Sequence, residues 1–533
     1  MEPKTISSTS NTPRSNKKRK FRNGKREIPP QAGEPGFKTP TQLRNERKRR
    51  SKKMQKSSMA TSTSEMTLHD PSSQYLSDPK KAPIVQRALQ FFHDHPWRQR
   101  PQHQPNFPIF VGPTTGWRTV SKLAVRSTNG NSKPSKLSIG LFAPNSHQVI
   151  PVPNCPAHHP SINQAVPILE RLCAQLGIVA YDETTGQGHL RHVAMNVERM
   201  TGKIQMTLVW NSEPSHDGDW QELTNAIIRI IHQQQSECLH NGMDGNALGI
   251  EKESTKRRRR RGKTENTTTT PSQQNIKSTL RIKTNEATME SSCQLKLHSL
   301  WIHFNSSGKH NNAIFSIDGK PGRWKHVYGP SVVEETLELS GQTTPIALQF
   351  PPNVFRQGNL DAFTKIVASI REYISSHWKN SREKPTCVEL YGGVGTIGLN
   401  VADLTSSLIS SDENPFNYDC FQSSSLNLKD PSTASYQSKN ATEMVRDGAL
   451  ERGQIIIVDP PRKGLEDEVR LALCNAQTPE LLIYVSCGFD AFQRDCKELV
   501  QSGWNLERAE GHILFPGSDA IETLAFFTFS PTK

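Results

Sequence analysis

No apolar run in the 533 residues comes near the roughly 20 that a membrane-spanning helix needs. The first residues are polar and lack the apolar core of a secretory signal, which argues against export. The nine cysteines include no C-x-x-C pair. An odd, scattered set in a long chain fits reduced thiols in an intracellular compartment, not a disulfide framework. Large apolar residues are also scarce: hydrophobic types make up 33% of the chain, and mean hydropathy is −0.64. A wholly folded chain of this length would carry more, so part of it is expected to be disordered.

The net charge of +15 is uneven. Residues 1–60 hold 18 Lys and Arg against 4 Glu, whereas the other 473 hold 48 basic and 47 acidic groups. Basicity gathers in "NKKRKFRNGKR", in "RNERKRRSKK" and in one internal run, Lys256 to Lys263. Such runs draw nucleic acid by releasing counterions, and some serve as nuclear-import signals. Composition therefore predicts a disordered basic tail over residues 1–80 and a disordered basic insertion at 235–293.

Residues 81–350, which contain the insertion, read as an α+β domain. "GWRTVSKLAVR" and "KLSIGLFA" are strand-like, and Ile162, Val166, Leu169 and Leu176 fall near helical spacing. "LRHVAMNVERMTGKIQMTLVW" predicts a hairpin turning at Thr201–Gly202–Lys203. From about residue 351 helix and strand alternate. Strands are expected at 386–390, 407–410, 455–458, 482–486 and 524–529. Short apolar strands spaced this way predict an α/β domain with a doubly wound, largely parallel sheet. Ligands of such sheets bind beyond the carboxyl ends of the strands.

The chemistry-bearing residues stand at those ends. Gly392, Gly393 and Gly395 follow the first strand, and a helix is expected from about Thr396. This loop has no Gly-Lys-Ser/Thr, so nucleoside triphosphate binding is disfavoured. It fits a dinucleotide or S-adenosylmethionine (SAM) equally well. At the second strand end, Asp412 or Glu413 is placed to bind ribose hydroxyls. The third end reads "IIIVDPPRKGL", and its two prolines stiffen the turn that carries Asp459. Many amino-group methyltransferases put an aromatic after the prolines; Arg462 stands here. The fourth end is Ser486–Cys487–Gly488. A lone thiol is usually core, but Cys487 shares its sheet edge with Asp459.

Together these pieces resemble the RNA 5-methyluridine methyltransferase family, SAM-dependent uracil-C5 methyltransferases of tRNA and rRNA. The resemblance rests on "FRQGN" (355–359), "ELYGGVGTIGL" (389–399), Asp412, "DPPRKGL" (459–465), "YVSC" (484–487) and "LFPGSDAIE" (514–522). It implies a Rossmann-like SAM-dependent methyltransferase domain at 351–533 and a central domain that helps to position RNA. By position, Gln357, Tyr391, Asp412 and Asp459 match the SAM-contacting residues. Cys487 matches the nucleophile, Glu522 the general base, and Arg462 an arginine that steadies the substrate.

The residue types suit the chemistry. C5 of uracil is a weak nucleophile until a thiolate adds to C6, and a base must then remove the C5 proton. The target uridine must also be unstacked. Two departures stand out: Gly488–Phe489 replaces the family's usual Asn-Pro, and Ala520 stands where a His is frequent. No cysteine precedes Cys155, so the iron–sulfur cluster of some members is not expected. A metal at "CPAHHP" (155–160) lacks a second ligand pair. The expected partner is RNA (tRNA or rRNA), the expected state a monomer, and the expected location the nucleus or an organelle. Two rival readings are cytosine-C5 transfer and a catalytically silent RNA-binding protein. Many cytosine enzymes carry Pro-Cys or Thr-Cys, whereas Ser-Cys stands here; the joint presence of Cys487 and Glu522 opposes the second.

Overall fold

A computed structural model describes residues 73–529 apart from 95–106, 128–136, 144–145, 215–217, 245–293, 308–313, 317–319 and 343. In the separate unit Met1–Thr67, only the antiparallel pair Phe21–Arg22 and Lys25–Arg26 is described. Apart from that pair, the expected basic tail up to residue 72 and the insertion from residue 245 lie outside the described residues. Composition extends the tail to residue 80, yet residues 73–80 are placed, with Tyr75 N–H on Gly517 O at 2.8 Å. It starts the insertion at 235, yet a helix continues through Asp244.

Two sheets organise Leu68–Lys533. The first runs β8-β7-β6-β5-β2-β3-β4, with strands β2 (Val120–Ser127), β3 (Leu137–Phe142), β4 (Val149–Pro151), β5 (Leu190–Val197), β6 (Ile204–Trp210), β7 (Leu297–Phe304) and β8 (Trp324–Tyr328). The predicted hairpin forms between β5 and β6, with Gly202 supplying the positive φ of 68°. Alternation puts Val193, Met195, Met206 and Leu208 on one face. There they pack on helices α2 (Pro160–Gln175) and α3 (Asp219–Asp244).

The second sheet runs β13-β12-β11-β14-β15-β17-β16-β1. Strands β11 (Thr386–Leu390), β12 (Ser407–Ser411), β13 (Ala434–Gln437), β14 (Ile455–Val458) and β15 (Leu481–Ser486) are mutually parallel. β17 (Glu522–Phe529) lies antiparallel to both β15 and β16 (Trp504–Ile513). β14 is buried throughout, as both faces of a parallel sheet are covered. On one face lies α4 (Leu360–His377), its stripe of Phe363, Ile366, Val367, Ile370 and Ile374 wholly buried. Asn359 caps it by accepting from Ala362 N–H.

The structure departs from the sequence expectation in three places. β13 and β16 are additional strands; both mix polar and apolar residues, and β16 carries a bulge between Leu506 and Arg508 that breaks its alternation. No α-helix starts at Thr396. Residues 394–401 form successive turns, because Gly398 N–H is held by the Glu389 carboxyl and not by a carbonyl four residues back. Finally, α1 (Pro83–Asp94) and β1 (Ile109–Val111) fall inside the 81–350 range but pack on the second sheet. β1 pairs with β16, and Phe91, Phe92 and Phe107 join that sheet's core.

Candidate active site

Five strand ends meet at one edge of the second sheet. β11 delivers Tyr391 and the glycine loop, β12 Asp412, β14 Asp459 and β15 Cys487. β17 runs the opposite way, so its first residue, Glu522, reaches the same edge. These residues, with Gln357 and Arg462, line a cleft of about 830 Å³. The seven residues matched to the family's site are therefore brought to it, whereas Gly392 and Gly395 do not line it. Ser486 pairs with Thr523, so the next register position sets Cys487 opposite Glu522.

The glycine loop is held by a residue that sequence reasoning missed. Glu389 is buried in β11; Oε1 accepts from Gly398 N–H at 2.8 Å and Oε2 from Ser410 Oγ–H at 2.6 Å. A Cβ on Gly392 or Gly398 would come within 2.6 or 2.4 Å of Oε2, so neither position admits a side chain. Burial, more than the nearby Asp412, pushes the Glu389 carboxyl up to about 7. The signal was present as an acid inside the apolar run "TCVEL". Asp412 secures the loop's other side, accepting from Gly393 N–H at 3.2 Å and Asn414 N–H at 2.9 Å. Tyr391 takes a φ of 60°, a left-handed conformation uncommon for a non-glycine residue, and its hydroxyl donates to Glu466.

The far side of the cleft is electrostatically loaded. Asp459, part-exposed to the cleft, is pushed up to about 7 by desolvation and then by Glu389. Burial raises the Cys487 thiol to about 11; Glu522 and Asp459 add to this, while Arg462 opposes it. Glu522 is held well above the ordinary carboxyl range by burial and then by Asp459, again against Arg462. No described residue hydrogen-bonds the Glu522 carboxyl. The Asp459 loop and the Cys487 loop touch: a Cβ on Gly488 would sit 2.2 Å from Arg462 O. Glycine after the cysteine is thus required by the close approach of the arginine-bearing turn. Ala520 is half-buried two residues before Glu522, and it carries no titratable group.

The cleft also fits a nucleoside-bearing methyl donor. Gly393 faces open space, with nothing within 4 Å of where a Cβ would stand. Asn417 Oδ1, on a cleft-lining residue, is buried and has no partner. Open backbone beside unsatisfied acceptors suits ribose and adenine groups.

Comparisons with known proteins agree. No protein-family model matches the chain. An uncharacterized RNA methyltransferase of Protochlamydia amoebophila is 30% identical over 419 residues, covering 79% of this chain and 88% of that one. A second, from Listeria innocua, is 23% identical over 79% of this chain and 74% of its own. Among solved structures, the tRNA (uracil-54, C5)-methyltransferase of Pyrococcus abyssi, bound to S-adenosyl-L-homocysteine, shares the fold. Its TM-score is 0.52, with 17% identity over 79% of each chain. With close to a third of positions identical along most of both chains, this protein belongs to the family of SAM-dependent RNA methyltransferases that its motifs resemble.

Proposed function

We propose that the protein transfers a methyl group from SAM to C5 of a uridine in tRNA or rRNA through a covalent Cys487–C6 adduct. The observation that carries this reading is the register of β15 and β17. It ends at Ser486 and Thr523, and the thiol and carboxyl next to them both line the cleft that the glycine loop opens into.

Gln357, Tyr391, Asp412 and Asp459 hold the methyl donor. When bound, SAM supplies a sulfonium cation and the methyl group that C5 takes up. A cation held in this cleft would favour the ionised forms of Asp459, Glu522 and Cys487 and offset the burial that raises them. Cys487 gives up its proton to solvent in the cleft, and the thiolate adds to C6 of the flipped uracil. The C5=C6 electron pair moves into an enolate, whose charge Arg462 stabilises. After C5 is methylated, Glu522 takes the C5 proton. The C–H pair re-forms C5=C6, and the thiolate leaves with the pair of the S–C6 bond. The basic runs at residues 1–60 add phosphate affinity, and they suit import into the nucleus or an organelle.

The test uses isotopically labelled SAM and unmodified tRNA and rRNA transcripts, digested to nucleosides. The expected product is 5-methyluridine; 5-methylcytidine would overturn the choice of base. Cys487→Ala should abolish both methyl transfer and the denaturation-resistant protein–RNA species, with SAM binding retained. Persistent turnover in that variant would overturn the mechanism.

A further inference from the structure

The segment before the first sheet touches both loops that carry the proposed reacting groups. Its helix α1 begins Ala82–Pro83–Ile84. Alanine has no side-chain oxygen to cap a helix, and Pro83 has no N–H, so Ile84 carries the first orphan donor. The chain satisfies it from 435 residues away: Asp519 Oδ1 accepts from Ile84 N–H at 2.8 Å. Asp519 stands three residues before Glu522. Eight residues earlier than Pro83, Tyr75 N–H donates to Gly517 O at 2.8 Å, in the same loop.

Further along, α1 reaches the start of the helix that follows Cys487, Phe489–Gln501. Arg87 pairs with Asp490, three residues past Cys487. Phe91 meets the Phe489 ring edge-on, with centroids 5.8 Å apart, and Phe92 lies 6.3 Å from it. Phe489 is buried and sits two residues after Cys487. It is also where this chain departs from its family's pattern, so the departure has a partner in α1.

We propose that residues 73–94 act as a strap that sets the Glu522 loop against the Cys487 loop, with Asp519 and Arg87 as positioning residues. One segment anchored on both loops fixes their separation, and small misplacements of reacting groups cost rate steeply. The proposal rests on the proposed roles of Cys487 and Glu522.

The experiment uses the full chain carrying Asp519→Ala, Asp519→Asn or Arg87→Ala, with labelled SAM and unmodified tRNA and rRNA transcripts. Asparagine keeps the acceptor oxygen for Ile84 N–H. Asp519→Ala should lower turnover about tenfold, in line with the loss of one helix cap. KM for SAM should stay unchanged, and the trapped protein–RNA species should rise as proton removal slows. Asp519→Asn should restore both readouts. Arg87→Ala should lower turnover less, without raising the trapped species. Wild-type turnover in both alanine variants would overturn the strap, as would failure of Asp519→Asn to rescue. If Glu522→Gln yields no trapped species, the covalent mechanism fails, and the turnover comparison still decides the strap.

Discussion

Glu389 and Glu522 are buried carboxyls at the same edge of the same sheet, and burial raises both. Their surroundings differ. Glu389 has an amide on one oxygen and a hydroxyl on the other, and two glycines close over it. Glu522 has no hydrogen bond from any described residue and opens onto the cleft. An acid bonded on both oxygens by the protein organises structure, whereas one left open to the cleft is free to meet what the cleft holds. The difference separates the support beneath the glycine loop from a group that faces the cleft.

Removing each acid should therefore fail in opposite ways. Glu522→Gln should cut methyl transfer by about 10²- to 10⁴-fold, the usual worth of a general base. It should also accumulate the protein–RNA adduct, because addition outruns proton removal. Its melting temperature should hold or rise, since a poorly solvated acid is gone. Glu389→Ala should instead cost about 1–3 kcal/mol of stability by orphaning Gly398 N–H and Ser410 Oγ–H. SAM affinity should weaken with it. Thermal melts and adduct gels on both variants decide the matter. A destabilised Glu522→Gln protein that traps no adduct would erase the distinction.

The two regions were also unequally legible. Cys487, Asp459 and Asp412 stand directly after apolar strands, and a strand end in an α/β sheet announces itself through the Gly, Pro and acid that follow it. Glu522 could be placed only by the family resemblance, since it opens an antiparallel strand and precedes the apolar run. Glu389 lay in plain view, but a single acid within a strand does not reveal that an amide and a hydroxyl from other segments will bind it. The strap was hidden for a similar reason. Residues 73–80 are mostly polar, and the carbonyl that holds Tyr75 N–H, on Gly517, lies at the far end of the chain, as does Asp519, which holds Ile84 N–H.

The pH dependence of stability sharpens the comparison further. Glu389 and Asp459 are both raised to about 7 in the folded chain, against about 4 when unfolded. The folded state then binds more protons, so this contribution is fully present below about pH 4 and is lost as pH climbs through about 7. The melting temperature without SAM should fall between these limits. Glu389→Gln and Asp459→Asn should each flatten the fall. Saturating SAM should flatten only the Asp459 share, because Asp459 lines the cleft and Glu389 lies behind the loop. An equal response of both to SAM would place Glu389 with the reacting groups.

The smallest effect concerns the basic N-terminal residues 1–67. Residues 1–60 carry a net +14 from 18 basic and 4 acidic groups, while the rest of the chain is nearly neutral at +1. Lys and Arg on phosphates contribute affinity in proportion to the counterions they release, and they carry little sequence information. Deleting residues 1–67 should therefore weaken RNA binding and flatten its salt dependence, by about 0.7–0.9 in log–log slope for each phosphate no longer neutralised. The deletion must stop before Tyr75, because the strap begins there. Turnover at saturating RNA, the melting temperature and the adduct yield should all stay at wild-type values, since Cys487, Glu522 and the strap are untouched. Glu522→Gln should show the mirror image: an unchanged salt slope with turnover abolished. If the deletion leaves the salt slope unaltered, the RNA is held by the nearly neutral body alone, through shape and hydrogen bonding more than charge.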